Sequence, residues 1–169
     1  NAFFKHIWSR IHCKYFCKGK HCKREDFRKQ KKYATSHAIP GLHSSWATED
    51  IIACQRPSSR LIKEYELIDS FKKAGIGAVV NLQERGEHPH CGDGIHRSSG
   101  FSYFPAEFMD HDIFFYNFSW CDMTVPTMEQ MLDIVQVIDF TIQSGRKVAI
   151  HCHAGLGRTG IVISCYLVY

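Results

Sequence analysis

The residues best equipped for chemistry run Val148-Ala149-Ile150-His151-Cys152-His153-Ala154-Gly155-Leu156-Gly157-Arg158-Thr159-Gly160. An apolar strand passes into a glycine-rich loop and then into the start of a helix. That passage aims successive backbone N–H groups and the positive end of a helix into one concavity, which is an anion site. Cys152 stands at its mouth, where the same field stabilises a thiolate and lowers a cysteine pKa to about 3.5–7.5. Arg158 follows after five intervening residues, with a planar fork suited to two phosphate oxygens. Between them, the backbone of His153, Ala154, Gly155, Leu156 and Gly157 forms the cradle, and Thr159 brings a hydroxyl close to the sulfur. A nucleophile, an anion cradle and a bidentate cation are the parts that attack on a phosphate monoester requires.

Two plainer readings compete. Gly155 to Gly160 also match G-x-G-x-x-G, the dinucleotide fingerprint, but its acidic residue about 20 positions on would fall beyond the chain. The polar His151-Cys152-His153 at the strand end also suits that fingerprint poorly. A buried, inert thiol is the common fate of a free cysteine, and the spacing of Arg158 argues against it here. A nucleotide-triphosphate loop is excluded, since no Gly-Lys-Ser/Thr follows.

The segment resembles the Cys-x5-Arg signature of the cysteine-dependent phosphatases, in the His-Cys-x-Ala-Gly-x-Gly-Arg-Thr-Gly form of the dual-specificity branch related to the Cdc14 phosphatases. Further stretches similar to a member of this family are Pro40-Gly41-Leu42-His43-Ser44-Ser45-Trp46 and Asn81-Leu82-Gln83-Glu84-Arg85-Gly86-Glu87-His88, so the likeness covers residues 40 to 169. It implies a protein tyrosine phosphatase-like α/β fold and a phosphocysteine intermediate, with no metal or cofactor. It also implies an upstream Asp as general acid. Asp122, thirty positions before Cys152, fits in Trp120-Cys121-Asp122-Met123-Thr124-Val125-Pro126, although the family's Trp-Pro-Asp order is not kept. Asp110 and Asp112 are rivals. Thr159 is expected to support the departing thiolate, and His151 to orient the loop rather than act as a base. Phosphotyrosine and phosphoserine/phosphothreonine in proteins are the first substrates expected. A phosphoinositide is disfavoured because Leu156 stands where such enzymes tend to carry another cation, and an RNA triphosphatase comes last. A phosphate-binding scaffold with little turnover is the alternative from a different class. The resemblance further suggests a cytoplasmic, centrosome- or cilium-associated protein.

These residues need a scaffold, and the apolar patterning supplies one. Pro40-Gly41 marks a turn into a short extended piece, and Ile51 to Cys54 reads as a strand. Pro57-Ser58-Ser59 opens a helix with Leu61, Ile62, Tyr65, Ile68 and Phe71 at helical spacing, closed by Gly75. Ile76 to Leu82 reads as a buried strand and 84–100, with three His and Cys91, as a solvated loop. Phe101 to Phe104 and Ile113 to Phe118 read as aromatic-rich strands. Thr127-Met128-Glu129-Gln130 has capping-box spacing, and Met131, Ile134, Val135 and Ile138 mark the buried face of the helix it opens. Gly145 ends that helix, Lys147 to Ile150 form a strand, and a last helix begins at Arg158. Strands alternating with helices predict an α/β fold with a largely parallel sheet flanked by helices.

The chain of 169 residues has a net charge of +4, unevenly placed. Up to Lys32 there are eleven Lys/Arg against two acidic residues, net +9, and beyond it ten against fifteen, net −5. We therefore divide it into a basic, cysteine-rich leader over 1–35 and a phosphatase domain over 36–169. Leader composition predicts disorder. Its His12-Cys13-x3-Cys17-x3-His21-Cys22 could hold tetrahedral zinc, but the spacing fits no common knuckle and Lys14, Lys18, Lys20 and Lys23 crowd it. Basic charge with Phe3, Phe4, Trp8 and the cysteines also suits an acidic partner or an anionic membrane surface. Nucleic-acid binding is not expected, as no reader motif accompanies the charge, and a monomer is. The eight cysteines show no paired framework and no signal peptide precedes them, which points to a reducing compartment. Cys91 and Cys121 are candidate oxidation partners of Cys152, and Cys165 belongs to the core. The chain begins at Asn1 and ends on apolar, uncapped Tyr166-Leu167-Val168-Tyr169, so the domain is expected to lack its C-terminal helices.

Overall fold

A computed structural model describes residues 7, 11–22, 24–25 and 37–169. Phe3, Phe4, Trp8 and the boundary at 35/36 lie outside the described residues.

Five strands form one sheet: β1 (Ser44–Trp46), β2 (Ile51–Cys54), β3 (Ile76–Asn81), β4 (Phe114–Asn117) and β5 (Lys147–His151). Their order is β1-β2-β5-β3-β4, antiparallel between β1 and β2 and parallel elsewhere. The helices of the body are α1 (Ser59–Glu64), α2 (Leu67–Lys73), α3 (Ala106–Met109), α4 (Met128–Gln143) and α5 (Gly157–Val168). Side chains alternate across a strand, and the central strands feed two cores. Ile52, Val79 and Ala149 pack with Leu61, Leu67, Phe71 and Phe108 on one face. Ile51, Val80, Val148 and Ile150 pack with Ile134, Ile138 and Val162 on the other. A sheet covered on both faces explains why β3 and β5 read as unbroken apolar runs.

The helix expected across Ser59 to Phe71 is two helices. Glu66 takes a left-handed φ of 49° between them, and the re-phased second helix buries Leu67 and Phe71, one turn apart, while Ile68 is only half-buried. Phe101 to Phe104 is not a strand. Phe101 and Tyr103 are buried for packing while Phe104 is exposed, and Pro105 turns the chain into α3, with the Phe104 N–H donating to the Glu107 carboxylate at 2.8 Å. In α4 the Thr127 hydroxyl accepts from the Gln130 N–H at 3.1 Å, as its spacing predicts. The other half of the capping box is absent, because the Gln130 side-chain amide donates instead to the Ser119 carbonyl. That bond ties the start of α4 to the segment carrying Asp122.

The described part of the leader departs from the disorder its composition predicts. Cys13, Cys22 and Glu25 are buried, and the Gly92 N–H donates to the Gly19 carbonyl at 3.1 Å. Nor is 84–100 a solvated loop, since His88 and Cys91 are buried. The cause is Arg56, which follows β2 and is itself fully buried. Its guanidinium donates to the carbonyls of Glu87, His88 and Cys91 at 3.2, 3.1 and 2.8 Å, which holds that loop against the sheet.

Candidate active site

In the parallel part of the sheet the carboxyl ends of β5, β3 and β4 share one edge, the usual place for ligands in such sheets. The 152–157 turn leaves β5 there and opens α5. Gly155 is obligatory in this turn. It adopts φ +73°, and a Cβ on it would come within 2.3 Å of the Cys54 backbone at the end of β2. Cys152 is buried beneath the turn. Burial pushes its thiol up, but the Thr159 hydroxyl and N–H, the Arg158 charge and the Gly155 N–H outweigh that, and the net shift is downward. The Thr159 hydroxyl is buried without an oxygen or nitrogen partner, so the sulfur is the group it serves.

His151 sits below, fully buried. Its Nδ1–H donates to the Cys152 carbonyl at 3.0 Å and its Nε2 accepts from the Tyr103 hydroxyl at 2.7 Å. Burial lowers its pKa to about 4, so the ring is neutral and fixes the loop's entry without acting as a base at neutral pH. His153 turns the other way, stacking on His88 with ring centroids 3.9 Å apart and donating to Glu25 at 2.5 Å.

Arg158 is held on most of its fork. Nη1 donates to the Leu82 and Trp120 carbonyls, both at 3.0 Å, and to Glu87 Oε2 at 2.8 Å, while Nη2 pairs with Glu87 Oε1. Nε is buried with no hydrogen-bond partner and lies 3.4 Å from Asp122 Oδ1. The guanidinium plane is thus fixed before any anion arrives, and its free N–H belongs to the side facing Asp122. Glu87 was not singled out from sequence. Spacing along the chain gives it no role, because its partner lies 71 positions away.

Asp122 reaches this edge and its rivals do not. Asp110 and Asp112 precede β4, at the opposite end of the parallel strands, whereas Asp122 follows it. Its Oδ2 is 3.4 Å from His88 Nε2. That hydrogen bond, opposed by burial and aided by Arg158, lowers its pKa to about 2. Burial pushes His88 down, but Asp122, the Cys13 sulfur and Glu87 more than reverse this and lift it to about 9.

A cleft of about 400 Å³ opens over Cys152, His153, Ala154, Leu156, Gly157 and Arg158. Asp122 and Met123 form one side, and His12, Phe16, Cys17 and Arg24 of the leader form another. Cys91 and Cys121 do not line it. The thiol whose charge is coupled to Cys152 is Cys54, pushed up to about 12 by burial and by that neighbour.

The resemblance of the sequence to the cysteine-dependent phosphatases is matched by comparison of the whole chain with known proteins. A family model described as a polymorphic toxin system DSP-PTPase phosphatase matches residues 56–169. Protein tyrosine phosphatase domain-containing protein 1 of Mus musculus is 46% identical over 157 residues, 93% of this chain and 21% of that protein. Tyrosine-protein phosphatase cdc-14 of Caenorhabditis elegans is 43% identical over 100 residues, 59% of this chain and 11% of that protein. The chain thus spans about a fifth of the length of the first of these relatives. The crystal structure of Tk-PTP in the active form superimposes with a TM-score of 0.56 at 26% identity, over 75% of this chain and 71% of that one. The chain belongs to the dual-specificity and protein tyrosine phosphatase family.

Proposed function

We propose that this chain carries the catalytic core of a protein phosphatase acting on phosphotyrosine, phosphoserine or phosphothreonine. The observation that carries the reading is the Cys152 thiol, shifted toward its nucleophilic form beneath an anion cradle whose arginine keeps Nε free. Cys152 thiolate attacks phosphorus in line while the N–H groups of residues 153–158 and Arg158 hold the equatorial oxygens. The phosphorus–oxygen ester bond breaks, Asp122 donates its proton to the leaving oxygen, and a phosphocysteine forms. Asp122, now a carboxylate, takes a proton from water as that water attacks phosphorus. The sulfur leaves with support from Thr159, and inorganic phosphate departs.

Asp122 must be protonated for the first step, yet in the resting site His88 and Arg158 hold it ionised. A dianion placed against Arg158 takes up part of that positive charge and raises the carboxyl's proton affinity. Leu156 at the exposed rim adds no cation, which supports singly phosphorylated side chains over a polyphosphorylated ring. The ionised Asp122 also favours a second reading, a phosphate-binding scaffold with slow turnover.

One experiment separates them. The protein, assayed with phosphotyrosine and phosphoserine peptides side by side, is expected to release phosphate and to yield a phosphocysteine on rapid quenching. Cys152→Ser is expected to lose turnover and retain phosphate binding. Normal turnover by that variant would overturn the mechanism, and phosphate binding without turnover by the wild type would establish the scaffold.

A further inference from the structure

Outside the phosphate site lies a second concentration of reactive side chains, where the leader meets the 84–100 loop. Cys13 lies in the helical run 11–15 and Cys17 just past its end, where the Cys17 N–H donates to the His12 carbonyl at 3.3 Å. Cys22 follows the 3-10 turn Gly19–His21. Cys91 approaches from the body. Cys13, Cys22 and Cys91 are buried together with Cys17 packed against them, and the Cys91 sulfur lies within 4.8 Å of those of Cys13 and Cys22. All four are free thiols. His88 Nδ1 stands 3.7 Å from Cys91 Sγ and 4.0 Å from both Cys13 Sγ and Cys17 Sγ.

The ligand atoms of Cys13, Cys91 and His88 lie within 4.8 Å of one another, as do those of Cys22, Cys91 and His153, so the thiols gather around Cys91 at a spread that a zinc ion with zinc–sulfur bonds of about 2.3 Å would draw together. We propose that Cys13, Cys17, Cys22 and Cys91 bind one zinc ion as a tetrathiolate, with the His88 ring donating from Nδ1 to the sulfurs. The crowding lysines of the leader, which weigh against zinc in the sequence alone, then change sign. Zinc held by four thiolates carries a net double negative charge, and Lys14, Lys18 and Lys20 are the complementary cations around it. The odd spacing resolves as well, because the fourth ligand comes from a loop some seventy residues away and no local knuckle is needed.

The site is structural, with all four positions filled by protein. Its effect is to fasten the leader as a wall of the phosphate cleft, and its link to the chemistry runs through one ring. His88 faces the sulfurs with Nδ1 and Asp122 with Nε2, so the metal centre fixes the imidazole that positions Asp122. His88 is a positioning residue in this scheme. The binding of zinc itself is independent of whether the cleft turns over phosphate esters.

The test uses the whole chain purified without chelator. Elemental analysis is expected to find one zinc per chain, and cobalt exchange to give the charge-transfer and ligand-field absorption of a tetrahedral thiolate site. Cys91→Ser and Cys17→Ser are expected to lose both signals, and Cys165→Ser, outside the cluster, to keep them. The half-buried Cys17 guards against a variant that simply fails to fold, and circular dichroism of each variant checks this. In the wild type, chelation is expected to accelerate proteolysis within the leader while the body stays intact. Zinc far below one equivalent, a disulfide among the four, or full zinc retention by a folded Cys91→Ser protein would each overturn the proposal.

Discussion

Glu87→Gln probes how far the phosphate arginine depends on a residue outside the signature. Arg158 and Glu87 side chains are 3% and 11% exposed, and two N–H groups of the one face two oxygens of the other. Removing one partner of such a buried pair costs about 3–5 kcal/mol, because the remaining charge is stranded. Glutamine keeps the volume and one acceptor oxygen, and Nη1 keeps its bonds to the Leu82 and Trp120 carbonyls. The loss should therefore fall to roughly 2–3 kcal/mol, the range left when part of the pairing survives. For a domain of this size that is a drop in Tm of about 4–12 °C. Thermal unfolding followed by calorimetry measures it. A second readout is the fate of the guanidinium plane: kcat/KM for a phosphotyrosine peptide should fall, and inorganic phosphate should recover part of the lost Tm by restoring an anion beside Arg158. An unchanged Tm with unchanged kcat/KM would refute the argument that Glu87 holds Arg158 in place.

Two further outcomes are expected from the same geometry. Asp122→Asn should slow hydrolysis of a phosphoserine peptide by about 10²–10⁴, the range of general-acid catalysis, and slow an aryl phosphate with an acidic phenol far less. An equal loss on both, measured by phosphate release, would remove Asp122 from the proton transfer. Alkylation of Cys152 by iodoacetamide should show its midpoint below the ordinary thiol value of 9.0, and the midpoint should return there in urea. The sign for stability follows, since a depressed thiol pKa contributes stability above the unfolded value that is lost as pH falls through the folded one.

How much of this was legible in sequence depends on whether the cause is local. The residues named for the buried face of α4, Met131, Ile134, Val135 and Ile138, are all buried, because 3.6-residue spacing carries the information within one segment. The turn between β5 and α5 was legible for the same reason, as Cys152 and Arg158 flank it within one segment. The break at Glu66 was not, because the apolar spacing from Leu61 to Phe71 also fits one continuous helix. The buried aromatics of Phe101 to Tyr103 resemble a strand until Pro105 and Glu107 are seen to open a helix. Glu87, His88 and Arg56 escaped because each acts on groups more than thirty positions away. A charged residue placed two positions after a buried strand, as Arg56 is after Cys54, was the one available hint.

Charge counting divides the chain most sharply between a basic leader and a mildly acidic body, and that division hides a physical connection. Of the two acids in the leader, Glu25 is buried, with Oε1 2.9 Å from Arg56 Nε and 2.5 Å from His153 Nε2. Burial raises its pKa, and Arg56 and His153 more than reverse that, so it enters as a carboxylate. Arg56 holds the 84–100 loop, which holds Glu87, which holds Arg158. His153 directly follows Cys152. A single leader carboxylate therefore touches both routes by which the body shapes its phosphate site. A residue so placed cannot belong to a detachable tail. Glu25 thus ties the described leader residues to the turn after β5 from upstream of the boundary that composition draws.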